Sequence, residues 1–140
     1  TGVEAGKDLQ TVPVGKGVVR KQGEKIAILA FGSMVAPSLQ TASVLNATVA
    51  DMRFVKPLDE ALIQELAASH DYLITVEENA VQGGAGSAVL EYMARQKICK
   101  PILNIGIADV VTEHGDPAAI LADLGLNAAG IEAAIREFTV

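Results

Sequence analysis

The chain has 140 residues, half of them hydrophobic, with eleven basic against seventeen acidic side chains and a net charge of −6. That length suits one domain with a sizeable core. The acidic balance and scarce aromatics (4%, no Trp) argue against nucleic acid as a partner, which needs basic patches and stacking platforms. The core must come from Val, Ile, Leu and Ala, the palette of parallel strands covered by helices on both faces. Cys99 is the only cysteine, which excludes an internal disulfide and a cysteine zinc cluster. It is expected as a half-buried, inert thiol ahead of a strand, and a lone thiol fits a reducing cytoplasm. No apolar run approaches the roughly 20 residues of a membrane helix, and no signal peptide is visible. The opening at Thr1, without Met, is that expected of a fragment of something longer.

In chain order, Thr1–Gly17 is polar and aperiodic and reads as a linker or an arm on a neighbouring domain; residues 18–140 read as the domain itself. Val18–Lys21 predicts a short edge strand guarded by its basic residues. Lys25–Phe31 is a continuous apolar run, as expected of a central parallel strand. Ser33 is placed to cap the next helix, with Pro37 in its first turn and Val35, Leu39 and Ala42 as its buried stripe. Thr48–Phe54 predicts a strand, and Asp59 the N-cap of a helix over 59–69 with Leu62, Ile63 and Leu66 on its apolar face. Tyr72–Val76 predicts a buried strand ending in Glu77 and Glu78. The turn Gly83–Gly86 opens a helix over about 87–96 with Val89, Leu90 and Met93 inward. Ile102–Ile107 follows as a strand. Asp116-Pro117 then starts a short helix ended by Gly125, and Asn127 caps the last helix. The alternation of strands and helices predicts a three-layer α/β/α domain with a mostly parallel sheet.

Function in such sheets collects where parallel strands end, which singles out Glu77, Glu78, Asn79 and the glycine turn. Gly83-Gly84-Ala85-Gly86-Ser87 resembles a phosphate loop only loosely: it follows a late strand, lacks the dinucleotide spacing and lies beside two carboxylates. A tight packing turn accounts for it better. Glu77 and Glu78 are adjacent and point to opposite faces of a strand, so they form no facing acid pair. An ion pair with Arg53 or Lys56 is expected ahead of a catalytic role. His70 lies at a helix end, where an imidazolium favours the dipole. His114, beyond a strand end, is the better functional candidate. The two histidines lack metal-ligand spacing, so no metal site is expected. The helix face around Val89–Met93 is the expected contact for a twin domain.

Taken together, Asp51-Met-Arg-Phe-Val-Lys-Pro-Leu-Asp59, Val76-Glu-Glu-Asn-Ala80, Gly83-Gly-Ala-Gly-Ser87 and Glu113-His-Gly115, with Val12–Gly17 and Ala27–Gly32, resemble a known family. It is the C-terminal domain of 1-deoxy-D-xylulose-5-phosphate synthase, a transketolase-like, thiamine-diphosphate-dependent family. The resemblance implies a five-stranded sheet with one antiparallel edge strand, and a homodimeric parent that condenses pyruvate with glyceraldehyde 3-phosphate and releases CO2. It implies that thiamine diphosphate and Mg2+ are held by the preceding domains through Gly-Asp-Gly and Asn-Asn signatures. This chain has Gly115-Asp116-Pro117 and no Asn-Asn pair, so no cofactor, metal or catalytic residue is assigned to it. Arg53, Glu77, Glu78, Asn79, Gly83, Gly84, Gly86 and His114 are then expected to form an interface or ion-pair cluster at the strand ends. Two other readings remain open: a regulatory small-molecule module, and the last domain of a 2-oxoacid dehydrogenase beta subunit.

Overall fold

Five strands form one sheet: β1 (Val18–Lys21), β2 (Ile26–Ala30), β3 (Thr48–Asp51), β4 (Tyr72–Ala80) and β5 (Ile102–Ile107). Their order in space is β1-β3-β2-β4-β5, with β1 antiparallel to β3 and every other pair parallel. The structure is a computed structural model and describes residues 11–112 and 114–140. Thr1–Gln10 of the expected arm, and Glu113 beside His114, lie outside them. The helices are α1 (Val35–Leu45), α2 (Glu60–Ser69), α3 (Ala85–Arg95), α4 (Pro117–Asp123) and α5 (Ala128–Phe138).

The apolar run of β2 is explained by burial on both faces. Ala27 and Leu29 join Met52, Ile63, Leu66, Leu73, Val89 and Met93 in one core; Ile28 and Ala30 join Val49, Ile74, Val76, Ile131 and Ile135 in the other. Asp59, Asp116 and Asn127 cap α2, α4 and α5 by accepting from the amides of Leu62, Ala119 and Gly130, as their positions predict. The segment Pro117–Phe138 is apolar enough for a membrane helix, with mean hydropathy 1.5. It is nevertheless two short helices, parted where Gly125 takes φ +72°.

Several expectations are corrected. Strand β3 stops at Asp51, because its carboxylate accepts the Arg53 amide at 3.2 Å and Arg53 turns the chain with φ +59°. Strand β4 continues past Val76 to Ala80. Ser33 caps nothing: α1 is entered through a 3-10 turn, Gly32–Met34, and the Ser33 hydroxyl donates to Glu78 instead. Leu90 is 41% exposed while Tyr92 takes the inward position beside Val89 and Met93. Since Val89, Tyr92 and Met93 fill the domain's own core, that face of α3 has no apolar surface to give a twin domain. Cys99 is exposed, in the connection from α3 to β5. His70 does sit at a helix end, but it is buried. Its Nδ1 lies 3.0 Å from the Leu66 carbonyl and its Nε2 2.8 Å from Thr48 Oγ1, which itself accepts the Gly23 amide. Finally, part of the expected arm belongs to the domain. Gly15 is buried against Pro57, and the Gly17 amide donates to Asp59 at 3.0 Å.

Candidate functional site

The C-terminal ends of β2 and β4 frame a crevice of about 280 Å³, lined by Phe31, Gly32, Val55, Glu77, Glu78, Asn79, Gly83 and Gly84. It lies where the chain order reverses, since β2 leads across to β3 on one side and β4 to β5 on the other. That switch point is where open α/β sheets place ligands. A local irregularity shapes it. Val76 pairs with Ile105 but Ala80 pairs with Ile107, so Glu77, Glu78 and Asn79 bulge from the β4 ladder. Gly106 sits beneath the bulge, and a Cβ there would meet the Asn79 carbonyl at 2.8 Å. The sequence reading passed over Gly106, although a glycine inside a strand is a signal for a bulge.

Glu77 decides what the crevice can do. It is 3% exposed, and its two oxygens accept the amides of Ala85 at 2.7 Å and Gly86 at 2.8 Å. These are the first free N–H groups of α3, the position an anionic ligand would take. A carboxylate from the chain itself therefore fills the anion site, and it also explains why α3 begins at Ala85 rather than 87. Glycine is required at 84 and 86 for the same reason. A side chain on Gly84 would run into the Glu77 carboxylate, and one on Gly86 would meet Thr75 Oγ1 at 2.6 Å and Asn104 at 2.9 Å. Gly83 has φ +77°, a conformation L side chains rarely adopt. The packing-turn reading fits this geometry.

The expected cluster is divided. Glu77, Glu78, Asn79, Gly83 and Gly84 share the crevice. Arg53 lies instead at the end of β3, its Nε 3.9 Å from Asp51, which also binds Arg20 at 3.1 Å. The anticipated pairing of Glu77 or Glu78 with Arg53 or Lys56 is replaced: Glu77 takes backbone amides and Glu78 takes the Ser33 hydroxyl. Glu78 is exposed whereas Glu77 is buried, although both line the crevice. His114 is exposed and lines a second hollow of about 420 Å³ with Val110, Ile120 and Leu124. Among the described residues, no three His, Cys, Asp or Glu side chains are grouped so as to hold a metal ion.

Asp59 is also bound by backbone amides, and its ionisation is held by its contacts. Burial alone would raise its pKa. The amides of Gly17 and Leu62 and the ammonium of Lys16 outweigh that and keep it below the ordinary aspartate value.

Comparison with known proteins agrees with this architecture. The family described as "Transketolase, C-terminal domain" matches residues 15–131. The chain belongs to that family. This transketolase C-terminal domain is 60% identical, over 99% of its length, to a 1-deoxy-D-xylulose-5-phosphate synthase of Neisseria gonorrhoeae. It is 62% identical, over the same share, to that of Shewanella amazonensis. It spans 22% of either relative. A solved structure described as "Split gene transketolase, inactive beta4 tetramer" superposes with a TM-score of 0.82 at 35% identity, covering 95% of this chain and 44% of that one. The match begins at Gly15, the first buried residue of the former arm among the described residues.

Proposed function

We propose that this transketolase C-terminal domain is the last domain of a 1-deoxy-D-xylulose-5-phosphate synthase, a cytoplasmic homodimer that condenses pyruvate with glyceraldehyde 3-phosphate and releases CO2. Identity of 60% over 99% of the chain supports the parent. The role within that parent is structural, and the observation carrying this is the buried Glu77 carboxylate on the α3 amides. Thiamine diphosphate and Mg2+ do not fit this domain. The amides that would receive a diphosphate are taken, Glu78 adds a second negative charge at the crevice, and the described residues group no metal ligands. Those groups belong to the preceding domains. Glu78 and Asn79 at the crevice, and separately Arg53 after β3 and His114 after β5, are the polar groups offered to those domains.

A chimaera tests the reading. Replacing the matching C-terminal segment of the Neisseria gonorrhoeae synthase with this chain should preserve turnover of pyruvate and glyceraldehyde 3-phosphate. The chain alone, supplied with both substrates, thiamine diphosphate and Mg2+, should form no product. A folded but inactive chimaera would overturn the parent assignment, and turnover by the isolated chain would overturn the structural role.

A further inference from the structure

The two edges of the sheet differ in protection. The edge at β1 is short, irregular in register and basic, with Arg20 paired to Asp51 and Lys21 donating to the Ala42 carbonyl. These are devices that keep an edge from pairing with other chains. The edge at β5 is longer and uncharged, and the irregularity in its pairing bulges β4 rather than β5 itself. Pro101–Ala108 carries no charge. Every residue of Ile102–Ile107 is only half-buried, and among the described residues no strand pairs with its outer side. Past its end, Val110 and Val111 are 59% and 98% exposed.

The backbone directions of β5 follow from its bonds to β4. The carbonyls of Pro101 and Ile107 accept the amides of Leu73 and Val81. In a parallel ladder alternate residues face the same neighbour. Leu103 and Ile105 therefore face β4 with Pro101 and Ile107, and the N–H and C=O groups of Ile102, Asn104 and Gly106 point outward.

We propose that β5 is a self-pairing edge, which joins β5 of a second copy antiparallel across a two-fold axis and continues the sheet. The occupant is argued from chemistry. A chain of net charge −6 meets its own copy with least repulsion along its uncharged segment. The flanks of that segment are Lys100 and Asp109, so an antiparallel pairing brings unlike rather than like charges to each end of the paired segment. A two-fold interface needs self-complementarity. Centring it on Ile105 supplies this. Asn104 and Gly106 then exchange the backbone bonds, while Ile105 meets its own counterpart, and Leu103 meets Ile107, on the face shared with Leu121 and Leu124. The inference does not depend on the activity of the parent.

Cross-linking tests it on the full 140-residue chain. In a Cys99→Ser background, Ile105→Cys places one thiol at the axis, in a non-hydrogen-bonded pair close enough for a disulfide. Arg20→Cys on the opposite edge is the control. Mild oxidation should give at least about tenfold more covalent dimer for Ile105→Cys than for the control, because pairing raises the local thiol concentration. Equal yields would overturn the proposal. In sedimentation velocity, the unmodified chain should shift toward dimer with concentration and Ile105→Lys should remain monomer. A dimer surviving Ile105→Lys would also overturn it. Should the lysine variant fail to fold, the cross-linking comparison still decides.

Discussion

Helices α2 and α3 both begin under a carboxylate, by opposite routes. Asp59 stands immediately before α2, accepts the Leu62 amide at 3.3 Å, and then reaches outward to the Gly17 amide and Lys16. Glu77 comes from strand β4, eight residues ahead of the amide it binds, and reaches inward; the residue next to α3 is Gly84, which has no side chain to cap with. In α2 a local cap also ties down a distant segment. In α3 a distant segment supplies the cap. Only the second makes the helix start depend on the sheet, so the same chemistry should weigh differently in the two places.

The largest effect is expected at Glu77. Its two bonds join buried amides to a charged acceptor, each worth about 1.5–3 kcal/mol. Glu77→Ala should therefore cost about 3–5 kcal/mol in urea unfolding, and Glu77→Gln about half of that, since a carboxamide keeps one acceptor oxygen. A loss below about 0.5 kcal/mol, the range of an unremarkable surface change, would break the contrast between the helices. Gly84→Ala tests the same contact from the other side. The added methyl would meet both the Glu77 carboxylate and the Ala80 backbone carbonyl, and should cost about 1–3 kcal/mol through overpacking. The double variant with Glu77→Ala should lose somewhat less than the sum of the two single losses, because only the Glu77 part of the clash is shared.

What could be read from sequence follows the same division. Asp59, Asp116 and Asn127 were legible as caps because capping is local, with a short polar side chain one place ahead of an apolar periodicity. The layers were legible because β2 is apolar on both faces and the edge strand β1 is not. Glu77 was seen as important but given the wrong partner. Nothing local says that a strand residue will bend back to a helix start, and the one hint of the bulge that aims it, Gly106, lies on the neighbouring strand. The split of Arg53 and His114 from the crevice was hidden for a related reason. Strand ends were treated as one edge, whereas the turn after Asp51 and the loop after β5 carry those two side chains away. Leu90 was misplaced because it lies one position off the stripe that Val89, Tyr92 and Met93 make at helical spacing, where an aromatic residue rather than the leucine completes the buried face.

At α2 the expected loss is smaller. Asp59→Ala removes an N-cap and the Gly17 bond together, for about 2 kcal/mol, with faster hydrogen exchange at the Gly17 amide as the local signature. Its pH dependence has a fixed sign. Because the folded pKa lies below the usual aspartate value, Asp59 stabilises the fold fully above the unfolded value of about 3.9 and loses that contribution as pH falls through the folded value. The difference in stability between the unmodified chain and Asp59→Asn should be flat at neutral pH and shrink only in that acid window. A difference that instead grew as the pH dropped would show that the carboxylate is not held ionised by these contacts.

Lys16→Ala should have the smallest effect, and it separates the two parts of the α2 clasp. Lys16 lies 3.2 Å from Asp59, but its side chain is 58% exposed, so solvent screens the pair. Exposed ion pairs contribute about 0.2–1 kcal/mol, and the low end is expected here because Asp59 already has two amides. The variant should unfold within about 0.5 kcal/mol of the unmodified chain, with little response to added salt, and exchange at the Gly17 amide should stay slow. If Lys16→Ala instead released Gly17 as fully as Asp59→Ala does, the segment would be held by charge rather than by its backbone. The α2 cap would then be an electrostatic latch that weakens with salt, a behaviour the buried Glu77 cap of α3 should not share.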